Sequence, residues 1–345
     1  METIWFALLA LVLSTYVVLD GFDLGAGMLH LFVAKTEKER QQVLRSIGPV
    51  WDGNEVWLLA SGGTMFLAFP HLLATALSGF YLPIMLVLWL LLFRGLSIEL
   101  RHQVHDRMWT ALWDALLFLS SGLLIVLLGA ALGNVVRGVT FEPEGHFFAP
   151  LWTHFGVQAP VGALDWYTIL VALEAVVVLG LHGALWLGWR TDAEVQERAA
   201  TLAGRLWWGA LGGALACTAA SLFVQPRLLE NIGERPSVWL AVAPASALLA
   251  IPWLLRRGRR RHAFFASALH IYGLLGAAAL SLYPWLLPGT SPETGLTIES
   301  AKTGAYSLGI GLVWWLPGML LVLVCQRFVY TRMPEVFSID DDVEH

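Results

Sequence analysis

Charge is scarce in this chain: Asp, Glu, Lys and Arg make up 14% of its 345 residues, against about a quarter in a soluble domain. That scarcity excludes a disordered chain, a nucleic-acid binder and an ordinary cytosolic enzyme. The net charge of −5 implies no general attraction to polyanions. Cysteine is nearly absent. Cys217 and Cys325 both lie in apolar runs, so no disulfide framework is expected. There is no phosphate-cradling glycine loop, no CxxCH, and no His/Cys cluster with metal-ligand spacing. If the chain takes part in redox chemistry, a partner must hold most of the cofactor ligands.

Apolar residues are abundant, at 57%, and the mean hydropathy is +0.66. The chain is therefore read as an all-α, polytopic membrane protein, in which each helix satisfies its own backbone groups. Nine apolar runs are long enough to cross about 30 Å of hydrocarbon. They fall at 4–33, 53–75, 76–98, 109–136, 164–189, 202–226, 237–255, 262–287 and 303–330. The first is not a signal peptide, because Met1 to Thr3 carry no positive charge and the run is too long. Most of the 17 tryptophans read as interfacial and packing residues. The longest connection, 137–163, carries Pro143, Pro150 and Pro160 and is a candidate lid, while the tail from 331 to 345 reads as a solvated acidic end.

Lys and Arg set the direction. With the N-terminus outside, 17 of the 21 fall on inside segments, and only Arg137, Arg227, Arg235 and Lys302 lie outside. The C-terminus is then cytoplasmic.

Ionisable groups inside spans are costly and usually face protein or a water chain. Asp20 and Asp23, three apart in the first span, share a helix face. Gly21 and Gly25 lie between and beyond them and permit close approach by another helix. Packing with hydrogen-bonded acids is a sufficient reading of that segment, and it is compatible with a proton role. Two readings stand for Asp52: a helix N-cap with Glu55 completing a capping box, or a proton-accepting carboxylate at the membrane surface. Arg94 and Glu99 close the third span, and Asp114 lies in the first turns of the fourth. With the orientation above, all six acids collect on the cytoplasmic side of the first four spans. Caps alone give no reason for that clustering, whereas proton intake does. Arg94 is the candidate counter-charge. Glu174 lies near mid-membrane, and His182, like His270, reads as a hydrogen-bonded interior histidine more readily than as a haem ligand. Leu181-His182-Gly183 sits where Leu19-Asp20-Gly21 sits in the first span, which hints at a duplicated bundle.

The segments Leu19-Asp20-Gly21-Phe22-Asp23-Leu24-Gly25-Ala26-Gly27, Trp51-Asp52-Gly53-Asn54-Glu55-Val56-Trp57-Leu58, Ser78-Gly79-Phe80-Tyr81 and Phe93-Arg94 together resemble subunit 2 of the cytochrome bd quinol oxidases. The resemblance implies two four-helix bundles, 1–136 and 164–287, plus a peripheral ninth helix at 303–330. It implies a haem-bearing subunit 1 holding two b haems and one d haem, which oxidises quinol, reduces dioxygen to water and contributes to the proton-motive force. It implies a bacterial plasma membrane location, and it leaves room for small single-span accessory subunits. Residue by residue, Asp52 matches the entrance acid of a proton route, Asp20 and Asp23 match the acid pair of the first span, Glu99 stands where an acid follows the Phe-Arg pair, and Arg94 matches that arginine. Glu55 and Asp114 are grouped with the route by their side of the membrane. No cofactor-binding residue is assigned here beyond Trp51, a candidate contact to quinone or lipid. The competing class is a proton-coupled secondary transporter, which shares buried acids and repeats but usually breaks its helices at mid-membrane.

Overall fold

The computed structural model describes residues 1–104, 106–143, 145–226, 228, 238–291 and 293–340. Helices α1 (Glu2–Val33), α2 (Glu37–Ile47), α3 (Trp51–Ala68), α4 (Pro70–Gly79), α5 (Tyr81–Leu100), α6 (Arg107–Arg137), α7 (Trp166–Arg190), α8 (Ala193–Val224), α9 (Val238–Arg256) and α10 (Arg260–Leu282) follow in order. A short hairpin, β1 (Trp285–Pro288) and β2 (Gly295–Thr297), leads to α11 (Ile298–Ala301) and the long α12 (Ala305–Arg332). Seven of these, α1, α5, α6, α7, α8, α10 and α12, are long and apolar enough to cross a membrane. At about 1.5 Å per residue, α1 alone is some 48 Å long.

Several expected boundaries move. The second and third spans, expected at 53–75 and 76–98, are instead α3 and α5, joined by the separate helix α4. The break falls at Phe69, with Pro70 opening α4 where its missing N–H costs nothing. The eighth span ends at Leu282 rather than 287. Pro284 and Pro288 cannot continue a helix, and the chain turns into the antiparallel hairpin, so the all-α expectation is corrected by one two-stranded sheet. Helix α2, which no apolar run announced, is held by a capping box between Thr36 and Glu39. Expected residues Arg227, Arg235 and 341–345 lie outside the described part.

The centre of the molecule is α1. It packs against α3, α6, α7 and α10. Its crossing with α7 is made by glycine: a Cβ on Gly25 would sit 2.9 Å from the Gly183 Cα. Helix α6 approaches the other side of α7 in the same way, through Gly129 against Ala172 and Gly133 against Thr168. Helices without side chains at the contact bring their backbones together, and dispersion then acts over a long seam. Helix α12 lies along α3, with the Trp315 indole donating to Thr64 Oγ1 at 2.9 Å and Gly311 packed on Leu67.

Helix ends sort to two faces. Met1, the hairpin and the connection after α6 share one face: Val139 N–H donates to Pro288 and Ala149 N–H to Gly79. In that connection Phe147 packs against Gly79 and Phe80. The opposite face carries α2, the α3 start and the chain end. There the expected solvated tail is corrected at one residue. Phe337 is buried, its N–H donates to Arg190 O and its carbonyl accepts from Gln42 Nε2 at 2.8 Å. One aromatic with a seat between α2 and α7 is enough to pin an otherwise polar segment.

Candidate functional site

The first buried network is built by α1, α3 and α5 on the α2 side of the molecule. Arg94, with 1% of its surface exposed, sits one helical turn before the end of α5's apolar stretch. Its Nη1 donates to Asp20 Oδ1 at 2.5 Å, and its Nη2 to Glu55 Oε2 at 2.9 Å. Its guanidinium lies 5.9 Å from the centroid of the Trp51 ring, a distance at which the ring face attracts a cation. Asp23, on the same face of α1 as Asp20, accepts from Asn54 Nδ2 at 2.7 Å. Around these bonds, Tyr16 Oη, Asp20 Oδ2, Asp23 Oδ1 and Arg94 Nε are buried with no protein partner among the described residues. Two acids thus share one guanidinium, the buried Asp20 and the half-buried Glu55, with Asp23 beside them held by Asn54, in a setting where an unpaired buried charge is expensive.

Helix α3 begins at Trp51, and its N-cap, Val50, makes no side-chain cap bond. The capping-box reading of Asp52 and Glu55 therefore does not describe the structure. Glu55 turns to Arg94 because a buried guanidinium offers a charged donor, which is about twice as strong as a neutral one. Asp52 and Glu99 are exposed, and no hydrogen bond or ion pair of their side chains is found among the described residues. Of the six acids, the structure thus brings together Asp20, Asp23 and Glu55 around Arg94, and places Asp52 one turn from Glu55 on the surface of α3. Glu99 lies five residues beyond Arg94 on α5.

Asp114 belongs to a second network. Arg101 donates to it through Nε at 2.6 Å and Nη2 at 3.1 Å, and Arg40 adds a bond of 2.8 Å. His30 Nε2 lies 3.6 Å away. Arg101 also forks onto Glu37 at 2.8 and 3.0 Å, tying α2 to the α5–α6 connection. That hydrogen bond holds the Glu37 carboxyl below the usual range against the opposing effect of partial burial. Nearby, Arg198 donates twice to Glu39, at 2.8 and 3.0 Å, and these bonds bring its carboxyl down to about 2. Arg101 entered the sequence reading only as one of the inside positive charges, and Arg40, Glu37 and His30 carried no signal of their own.

The second half of the chain holds its polar groups differently. His182 on α7 uses both ring nitrogens, Nδ1 with Ser267 Oγ at 2.6 Å and Nε2 with the Val18 carbonyl at 3.0 Å. Its ring stacks on Phe264 at 4.6 Å. His270 binds the Pro244 carbonyl at 2.9 Å. Glu174 is buried against Gly213 of α8, and among the described residues its Oε1 has no partner and no cation lies beside it. These residues do not fit a haem: the nitrogens of His182 are occupied, and Phe22, Trp186 and Phe264 fill the space around its ring. Among the described residues no group of three or more His, Cys, Asp or Glu is arranged to hold a metal ion.

This geometry meets a family pattern. The profile of the cytochrome bd terminal oxidase subunit II family matches residues 1–333. The chain belongs to that family. It is 30% identical to a probable cytochrome oxidase subunit 2 of Haemophilus influenzae, over 96% of this chain and 93% of that protein. It is 29% identical to a cytochrome bd ubiquinol oxidase subunit 2 of Bacillus subtilis, over 90% of this chain and 89% of the other. The solved bd oxidase of Geobacillus thermodenitrificans has the same fold, with a TM-score of 0.73 at 23% identity, covering 95% of this chain and 97% of that one. As a subunit II of the bd terminal oxidases, the chain is a multi-pass membrane component of a respiratory oxidoreductase complex.

Proposed function

We propose that this chain supports a haem-bearing subunit 1 and delivers cytoplasmic protons toward it as that subunit oxidises quinol and reduces dioxygen to water. Two b haems and one d haem are assigned to the partner. The observation that carries the reading is Arg94 bonded to both Asp20 and Glu55 within the protein interior. Reduction of dioxygen consumes protons at a buried site, and an isolated charge does not cross hydrocarbon. Neighbouring carboxyls beside one cation titrate as a coupled set, so a proton gained by one is shared out over the group rather than fixed on a lone acid.

In this reading Asp52 and Glu99 gather protons at the surface, Glu55 takes them inward, and Asp20 and Asp23 pass them along α1. Asp114, saturated by Arg101 and Arg40, anchors α2. Nine crossings are assigned: the seven long apolar helices plus α3 and α9. The first four form one bundle (1–136) and the next four a second (164–287), with the ninth span (303–330), realised as α12, on the outside. The N-terminus is placed outside and the C-terminus in the cytoplasm, which puts α2, Arg101 and the docked tail in the cytosol. The membrane is assigned as a bacterial plasma membrane, and small accessory subunits, lipid and quinol remain the expected neighbours, with Trp51 as a contact for the last two.

The test is Asp20→Asn in the purified two-subunit complex. Quinol-driven oxygen uptake falls by at least about tenfold while the haem spectrum is retained. Wild-type turnover with intact haems removes Asp20 from the route.

A further inference from the structure

Helix α12 touches the rest of the chain mainly along α3, yet two of its polar side chains end on a single amide. Gln326 Nε2 and Tyr330 Oη each donate to Asn54 Oδ1 at 2.9 Å. The other end of that amide, Nδ2, donates to Asp23 Oδ2 at 2.7 Å and to the Leu19 carbonyl at 3.2 Å. All four hydrogen-bonding positions of Asn54 are therefore filled.

The direction of the chain is fixed at both ends, since on the near side the Leu19 carbonyl can only accept from Asn54 Nδ2. An indole N–H can only donate. Trp57 Nε1 donates to Gln326 Oε1 at 2.6 Å, which turns the Gln326 NH2 toward Asn54. Gln326 and Tyr330 then occupy Asn54 Oδ1, so the Asn54 NH2 must face Asp23. An amide turned the other way would present oxygen to the carboxylate and repel it. Trp57 sits one turn beyond Asn54 on α3, and Tyr330 one turn beyond Gln326 on α12, so two helical turns lie against each other to set one hydrogen bond on α1.

Resting on the proton-route reading above, we propose that Asn54 is a positioning residue for Asp23, and that α12 holds its orientation through Gln326 and Tyr330, together with the Leu19 carbonyl and with the Trp57 indole as the reference donor. The charged and titratable groups around Asp23 are Asp20 on α1, Arg94 on α5 and Tyr330 itself on α12, with Glu55 acting through Arg94. Among these, Asn54 supplies a directed donor to Asp23 Oδ2. The orienting layer keeps that donor aimed while Asp23 gains and loses its proton.

The experiment uses the assembled oxidase in proteoliposomes with Gln326→Leu and, as a milder variant, Trp57→Phe. The readouts are kcat and KM for quinol, and the infrared carboxyl band of Asp23, identified as the band lost in Asp23→Asn. In both variants the Asp23 C=O band moves to higher frequency, as expected when the hydrogen bond from Asn54 is loosened. With Gln326→Leu, kcat falls about tenfold at unchanged KM and haem content. If Gln326→Leu prevents assembly, the Trp57→Phe band decides. An unshifted band in an assembled variant overturns the inference. A shifted band together with wild-type turnover in Asp23→Asn leaves the orienting role standing and overturns the proton route instead.

Discussion

The two halves of this protein meet across the Gly25–Gly183 crossing, and they solve the problem of interior polarity in opposite ways. Helices α1, α3, α5 and α6 hold charge: Asp20 and Glu55 are locked to Arg94, and Asp114 to Arg101 and Arg40. Helices α7 and α10 hold histidines satisfied by hydrogen bonds, His182 on Ser267 and a carbonyl and His270 on a carbonyl, while Glu174 has no counter-ion among the described residues. Asp20 in α1 and His182 in α7 each stand just ahead of a glycine. The buried acid Asp20 is paired because α5 supplies Arg94, whereas no arginine pairs with Glu174 among the described residues. The lesson is that Arg94, rather than the acids, makes the first half different.

The largest expected effect comes from removing that arginine. Arg94→Leu strands the buried Asp20 and leaves the half-buried Glu55 without its cation, a loss of about 3–5 kcal/mol for breaking the buried Arg94–Asp20 pair. The complex then fails to assemble or loses most of its thermal stability, read as haem content and Tm. Arg94→Lys restores the charge without the two-pronged geometry and recovers only part.

Next is the crossing that joins the halves. Gly183→Val places a branched side chain where the Gly25 backbone already sits, and overpacking of this kind costs about 1–3 kcal/mol. A lower Tm of the complex checks it. An unchanged Tm would mean that the halves are not held by this seam.

A smaller effect concerns the rim. Glu39 has a folded carboxyl at about 2 against its ordinary 4.5, because Arg198 donates to it. Its contribution is fully present above pH 4.5 and is lost as pH falls from there toward about 2. Glu39→Gln therefore lowers Tm at neutral pH, and the difference from wild type shrinks as the pH is taken down through that window.

The smallest effect is predicted for Glu174→Gln. Glutamine keeps the shape beside Gly213 without a charge, so stability changes by less than about 0.5 kcal/mol and turnover is unchanged. Loss of proton uptake in this variant would erase the contrast between the halves.

Much of this was legible in the sequence, for a physical reason. A carboxylate or arginine inside an apolar run is costly enough to be conspicuous, so Asp20, Asp23, Glu55 and Arg94 stood out, as did the Gly21/Gly25 spacing. Asn54, Gln326 and Tyr330 did not, because uncharged polar groups are tolerated in helices and the contact joins residues 272 and 276 apart. Asp114 was visible as an acid, but its partners were disguised as topology-setting positive charges. The N-cap reading of Asp52 failed because local pattern does not register a guanidinium arriving from α5. Helix α4 and the hairpin were hidden since hydropathy averaged over a span length smooths across a break such as Phe69–Pro70.

The most direct measurement is the initial rate of proton uptake from the α2-bearing side of oxidase proteoliposomes during quinol-driven turnover, compared between wild type and Asp23→Asn with matched haem content. Uptake and oxygen consumption that fall together by at least about tenfold are the predicted result. Uptake at the wild-type rate would contradict the claim that the first half of this chain conducts protons.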